Sequence, residues 1–130
     1  MIVTDASVVL ELLLRTPASA AVESRLFGSG ETLHAPHLLD VEVAQVLRRY
    51  AARSEISAAR GRLGLGVLSR FPILRYPHEP LLTRIWALRA NMTAYDAAYV
   101  ALAEALGATL VTRDERLSTV PATRAKIELV

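Results

Sequence analysis

Short apolar runs alternate with stretches of helical periodicity along the whole chain, a pattern that predicts an α/β fold on a largely parallel sheet. Ile2 to Thr4 is a β-branched run, and Ala6 to Leu14 follows as a helix that ends before Pro17. A second helix over about Ala18 to Phe27 stops at Gly28 and Gly30, and Thr32 to Ala35 reads as a strand closed by Pro36. Leu39, Val43, Val46, Leu47 and Tyr50 recur at helical spacing and predict a helix over Leu38 to Arg53. Ser54 or Ser57 caps the next helix, which reaches Ser69; a strand over Pro72 to Tyr76 and a helix over Glu79 to Ala90 come after it. Thr93 opens the strongest helix of the chain, which runs to Leu106 and closes on Gly107. Thr109 to Thr112 is a further strand, a short turn or helix follows near Glu115, and Lys126 to Leu129 ends the sheet.

Right-handed crossovers between such strands leave few topologies, and the expected one is a three-layer α/β/α sandwich around a short, mostly parallel sheet. The 130 residues fit one domain, 1–130, because two independent cores would each be too small to be stable. The segment GRLGLGVLSRF places glycines at 61, 64 and 66 inside a predicted helix and lowers its propensity, so this helix and the one before it are expected to be short or bent. It is not a phosphate loop: the glycine order is wrong and no strand precedes it, which leaves a close helix-packing surface.

Composition narrows the function classes. With 52% hydrophobic and 22% charged residues the chain is neither disordered nor a coiled coil. Cysteine is absent, which removes disulfide scaffolds, thiolate zinc sites and cysteine catalysis. Glu11 and Glu104 interrupt the two longest apolar stretches before either reaches membrane-spanning length, and MIVTDASVV has no basic leader. A cytoplasmic protein without membrane attachment is expected. The net charge is +2, and all the basic residues but Lys126 are arginine. Arginine suits bidentate phosphate contact, but GC-rich coding produces the same bias, so basicity alone does not identify a nucleic-acid partner.

In open parallel sheets the ligand crevice lies beyond the carboxyl ends of the strands, and that rule selects particular acids. Asp5 directly follows the first strand, Asp114 follows LVT with one residue between, and Asp96 lies in the first turn of the helix leading into that strand. Glu42 sits early in the helix after the second strand, between Leu39 and Val46 on the edge of the apolar face. Singly, each has a structural explanation. Asp5 and Asp114 suit helix N-caps, TAYD has the capping-box spacing for Asp96, and Glu42 has Arg49 and Arg53 in reach. Together they would repel strongly in one crevice unless a divalent cation neutralised them. Oxygen-only ligands suit Mg²⁺ or Mn²⁺, and an acidic cage within a basic surface suits phosphodiester hydrolysis.

The segments MIVTDASVV, HAPHLLDVEVAQVLRR, MTAYDAAYVALAEALG and LVTRDERL, in that order and spanning essentially the whole chain, resemble the PIN-domain proteins, and among them the VapC toxins of bacterial toxin–antitoxin pairs. The resemblance implies a Mg²⁺-dependent endoribonuclease whose metal-binding and catalytic acids are Asp5, Glu42, Asp96 and Asp114. Ser7 and Thr112 match the hydroxyl residues that orient those carboxylates or the attacking water. It further implies products with 5′-phosphate and 3′-hydroxyl ends, a homodimer, and a small antitoxin whose tail fills the active-site groove. A catalytically silent PIN-like module that binds RNA or protein is the competing expectation.

Other candidates carry less. His34, His37 and His78 fit no zinc-ligand spacing, and the G-x-S-x-G elbow of a serine hydrolase is absent. Arg48, Arg49 and Arg53 form a solvated helix face or an RNA-backbone track. Arg113 and Arg116 flank Asp114 and are better placed to meet a phosphate or an antitoxin carboxylate. Trp86, Tyr95 and Tyr99 sit where packing rather than base stacking is expected. A phosphorelay receiver is excluded because Asp5 has no acidic neighbour and Lys126 is the only lysine; an RNase H-like nuclease would open with an antiparallel meander that this alternation lacks.

Overall fold

The computed structural model describes residues 1–130. Strands β1 (Ile2–Thr4), β2 (Leu33–Pro36), β3 (Ile73–Tyr76), β4 (Thr109–Thr112) and β5 (Lys126–Leu129) form one sheet in the order β3-β2-β1-β4-β5. Every pairing is parallel, and the register sets Thr4 of β1 beside Val111 of β4. The order reverses at β1: the chain builds outward to β3, then crosses back to β4 on the other side. Helices α1 (Ala6–Leu14), α2 (Ser19–Phe27), α3 (Leu38–Ala52) and α4 (Ala58–Leu68) belong to the first half. Helices α5 (Leu82–Ala87), α6 (Ala94–Leu106) and α7 (Glu115–Ser118) belong to the second. Right-handed crossovers in opposite directions put these two sets on opposite faces of the sheet, which is the expected α/β/α sandwich.

The core runs through both layers. Ile2, Val3, Leu110 and Val111 from the central strands meet Val8, Val9, Leu39 and Val43 from α1 and α3, and Val100 and Leu102 from α6. Helix α6 is buried along the unbroken run Ala97–Ala103, mostly alanine, so it lies close against β1, β2 and β4. Capping follows the residues present. Ser57, not Ser54, accepts the Arg60 amide at the start of α4, and Thr93 accepts the Asp96 amide at the start of α6. Gly107 closes α6 at φ 61°, the left-handed conformation a side chain would resist.

Two elements depart from expectation. Helix α4 is continuous over Ala58–Leu68 despite its glycines: Gly61 and Gly64 are buried, and a Cβ on Gly64 would meet Leu47 Cδ1 of α3 at 3.4 Å. The lost propensity is offset by close approach of α3 and α4, the packing surface inferred for GRLGLG. The helix expected over Glu79 to Ala90 is shorter. Pro80 starts it as a 3₁₀ turn over Glu79–Leu81, and α5 ends at Ala87. No helix is long and apolar enough to cross a membrane.

Candidate active site at the carboxyl edge of the sheet

The point where the strand order reverses is where β1 and β4 lie side by side, and both deliver an aspartate there. Asp5 leaves β1 and caps α1, its Oδ1 accepting the Val8 amide at 3.2 Å. Asp114 leaves β4 and caps α7, its Oδ1 accepting the Arg116 amide at 2.9 Å. Two hydroxyls lace these ends together. Ser7 donates to Asp5 Oδ1 at 2.6 Å and accepts the Arg113 amide at 3.0 Å. Thr112 donates to Asp5 Oδ2 and accepts the Asp114 amide at 3.0 Å. Each hydroxyl therefore fixes the Asp5 carboxylate with its proton and the β4–α7 loop with its lone pair.

Glu42 and Asp96 approach from the two opposite layers. Helix α3 is held by a bidentate pair between Asp40 and Arg75 of β3, and its first amide, from Leu38, donates to His78 Nε2 at 2.9 Å. One turn along, Glu42 Oε2 accepts a long, 3.4 Å bond from the Tyr99 hydroxyl of α6. Tyr99 stands three residues after Asp96, on the same helical face. Glu42 is the shared wall of two clefts. One, of about 430 Å³, also presents Gln45, Thr93, Tyr95, Asp96 and Arg116; the other, of about 370 Å³, presents Ser7, Glu11, Thr16, Arg49 and Tyr50.

These acids sit in each other's fields. Asp5 is 6% exposed, and burial raises its pKa against the pull of the Ser7 and Thr112 hydroxyls and the Val8 amide. Burial, reinforced by the charges of Asp5 and Asp96, pushes Glu42 up to about 7. Asp96 is also raised, by burial and then by the charge of Asp114. The Tyr99 hydroxyl is held in its protonated form by burial and by the nearby carboxylates. Asp114 alone is lowered, by the Arg116 guanidinium.

No ion pair reaches Asp5, Glu42 or Asp96. Burying charge without a partner is costly, and the raised pKa values are that cost expressed as proton affinity. The arginines expected near Glu42 do not pair with it. The Asp96 carboxylate does not receive the Thr93 amide, so the reciprocal arm of a capping box is not made. Glu42 and Asp96 line one cleft, and charge links the four predicted acids in a chain, Asp5 with Glu42, Glu42 with Asp96 and Asp96 with Asp114, but no three of them are close enough to form a ready cage for an ion. Asp114 is turned onto Arg116, and Asp5 onto its two hydroxyls.

Of the predicted substrate contacts, Arg116 lines the crevice, whereas Arg113 is committed to Glu11 at 3.0 Å and to a Val130 backbone oxygen at 2.5 Å. Of the three aromatics expected to pack, Tyr99 does, at 2% exposed, whereas Trp86 and Tyr95 are 68% and 65% exposed. The link of Tyr99 to Glu42 was missed, although the i, i+3 spacing from Asp96 carried the signal.

Comparison with known proteins agrees with this architecture. Residues 2–122 match the PIN domain. The chain belongs to the PIN-domain family, within its VapC ribonucleases. Ribonuclease VapC9 of Mycobacterium tuberculosis is 47% identical over 130 residues, covering 100% of this chain and 98% of its own. Ribonuclease VapC12 of the same organism is 46% identical, covering 100% and 99%. Among solved structures, PAE2754 from Pyrobaculum aerophilum superimposes with a TM-score of 0.69 at 28% identity, over 97% of this chain and 81% of its own. VapBC2 from Rickettsia felis, solved on a DNA fragment from its promoter, gives a TM-score of 0.71 at 18% identity, over 100% and 99%. At that identity the second likeness speaks for the fold.

Proposed function

We propose that this protein is a cytoplasmic endoribonuclease, a single PIN-like domain over residues 1–130, and the toxin of a toxin–antitoxin pair. Its phosphodiester hydrolysis would depend on Mg²⁺ or Mn²⁺ held by Asp5, Glu42, Asp96 and Asp114. The observation that carries this reading is a set of three partly or fully buried carboxylates that make no ion pair, at the topological switch point of the sheet. The donor set is all oxygen, as a hard divalent cation prefers, and such an ion would relieve the charge that burial now penalises. It supplies a Lewis acid for a phosphodiester oxygen and a lowered pKa for water.

The chain's own residues do the rest. Ser7 and Thr112 aim the Asp5 carboxylate; Glu42, poised near neutral pH, holds or accepts a proton at the mouth of both clefts; Tyr99 steadies Glu42 from beneath. The pairing of relatives with VapB proteins supports a small antitoxin as partner, and a homodimer is the assembly proposed for the toxin itself.

The test uses antitoxin-free protein and structured RNA. Cleavage should require Mg²⁺ or Mn²⁺, stop with EDTA, and vanish in Asp5→Asn and Asp96→Asn. Asparagine caps a helix as well as aspartate, so Asp5→Asn should fold with unchanged or higher stability. RNA bound but uncut under every metal condition would leave the protein a silent binding module.

A further inference from the structure

Arg116 occupies the crevice in a way that the four acids alone do not account for. Its Nε lies 3.0 Å from Asp114 Oδ1 and 3.2 Å from Oδ2, and its Nη2 lies 2.5 Å from Oδ2. Both oxygens of Asp114 are therefore taken by one guanidinium. That guanidinium bonds to nothing else, and its side chain is 82% exposed, so it leaves by rotating into solvent without disturbing the core. It also lines the cleft shared by Glu42 and Asp96, and its charge offsets the repulsion felt by Asp96.

A divalent ion needs the same lone pairs and the same negative charge that the guanidinium now holds, so the two cannot both sit on Asp114 at full strength. A planar guanidinium fits a phosphate with the same two-pronged geometry as a carboxylate, which a lysine ammonium does not. Building on the metal-dependent reading above, we infer that Arg116 is an internal counter-cation that competes with the divalent ion for Asp114 and, once displaced, grips an RNA phosphate in the adjoining cleft. This assigns it two successive partners on one rotation of its side chain.

Direct Mn²⁺ titration without RNA, read by the electron paramagnetic resonance of free Mn²⁺, tests the first half. Removing one positive charge a few ångströms from a dication should tighten Mn²⁺ binding roughly five- to twentyfold in Arg116→Ala. Arg116→Gln should behave alike, Arg116→Lys should fall between, and Arg62→Ala, an exposed arginine of α4, should match the wild type. A merely structural Arg116 would give the opposite sign, because loosening α7 would weaken binding. Steady-state cleavage tests the second half: KM for RNA should rise several-fold in Arg116→Ala, with a smaller change in kcat at saturating metal. Mn²⁺ bound by the wild type but equally or less tightly by Arg116→Ala overturns the competition and leaves the nuclease reading intact. No Mn²⁺ bound by any variant sinks both, and tighter Mn²⁺ with unchanged KM removes the phosphate contact alone.

Discussion

Replacing Glu42 with glutamine should stabilise the protein at pH 8 and much less at pH 5. Burial and the charges of Asp5 and Asp96 raise Glu42 from an ordinary 4.5 to about 7. The native state therefore keeps a proton that the unfolded chain releases between those values. Its contribution to stability is fully present below pH 4.5 and is lost as pH rises through about 7. Each pKa unit is worth about 1.4 kcal/mol, which sets a ceiling of about 3 kcal/mol; solvent screening of a partly exposed side chain reduces this to about 1–2 kcal/mol. Glutamine mimics the protonated form at every pH, and the difference between variant and wild type cancels the titration of all other groups. Urea unfolding of EDTA-treated protein at pH 5 and pH 8 measures it, followed by far-ultraviolet circular dichroism because Trp86, at 68% exposed, reports poorly on the core. Millimolar Mn²⁺ should narrow the gap at pH 8, since an ion relieves the same charge. A gap of equal size at both pH values, or one favouring the wild type at pH 8, would refute the claim that Glu42 is a desolvated carboxylate held without a cation.

Two further predictions concern stability. Thr4 Oγ1 is a buried side-chain atom without a hydrogen-bond partner, so the near-isosteric Thr4→Val should add about 1 kcal/mol in urea unfolding; a loss would mean that the hydroxyl has a partner after all. Glu104, 6% exposed, takes Arg84 at 2.7 and 3.0 Å and the Arg124 amide at 2.7 Å, which lowers its pKa to about 2. Glu104→Gln should cost about 2 kcal/mol at pH 7. That contribution is present above pH 4.5 and fades as pH falls toward about 2, so the two proteins should converge in acid while cleavage at 25 °C stays the same.

The elements were legible because local and global signals agree. The β-branched run Ile2–Thr4, the Thr93 cap and the closing Gly107 each dictate their own boundaries, and the parallel order follows from alternation. The crevice acids were legible for a related reason: in a parallel sheet, a residue just past a strand end stands at the mouth of the crevice whatever the rest of the chain does. What stayed hidden depends on contacts between distant residues. Nothing local announces that Glu11 engages Arg113, that His78 receives the first amide of α3, or that Gly64 faces Leu47. Arg116 is the instructive case. It stands only two residues after Asp114, so this contact is local; the spacing was visible, but which partner the guanidinium would take was not.

Capping and metal binding are not rival explanations of Asp5. A helix that starts directly after a parallel strand has its N-cap in the crevice, so one side chain can serve both ends. Capping accounts for the position of Asp5 and for its bond to the Val8 amide, and asparagine would do that work equally well. What capping does not account for is the charge: Asp5 is 6% exposed, no cation pairs with it, and burial raises its pKa, a penalty that asparagine would escape. Two hydroxyls from separate elements, Ser7 and Thr112, are spent holding that charged group in one orientation. A side chain kept ionisable where neutrality would be more stable, and aimed where stability asks for no aim, is what the proposed metal-dependent reading requires of Asp5.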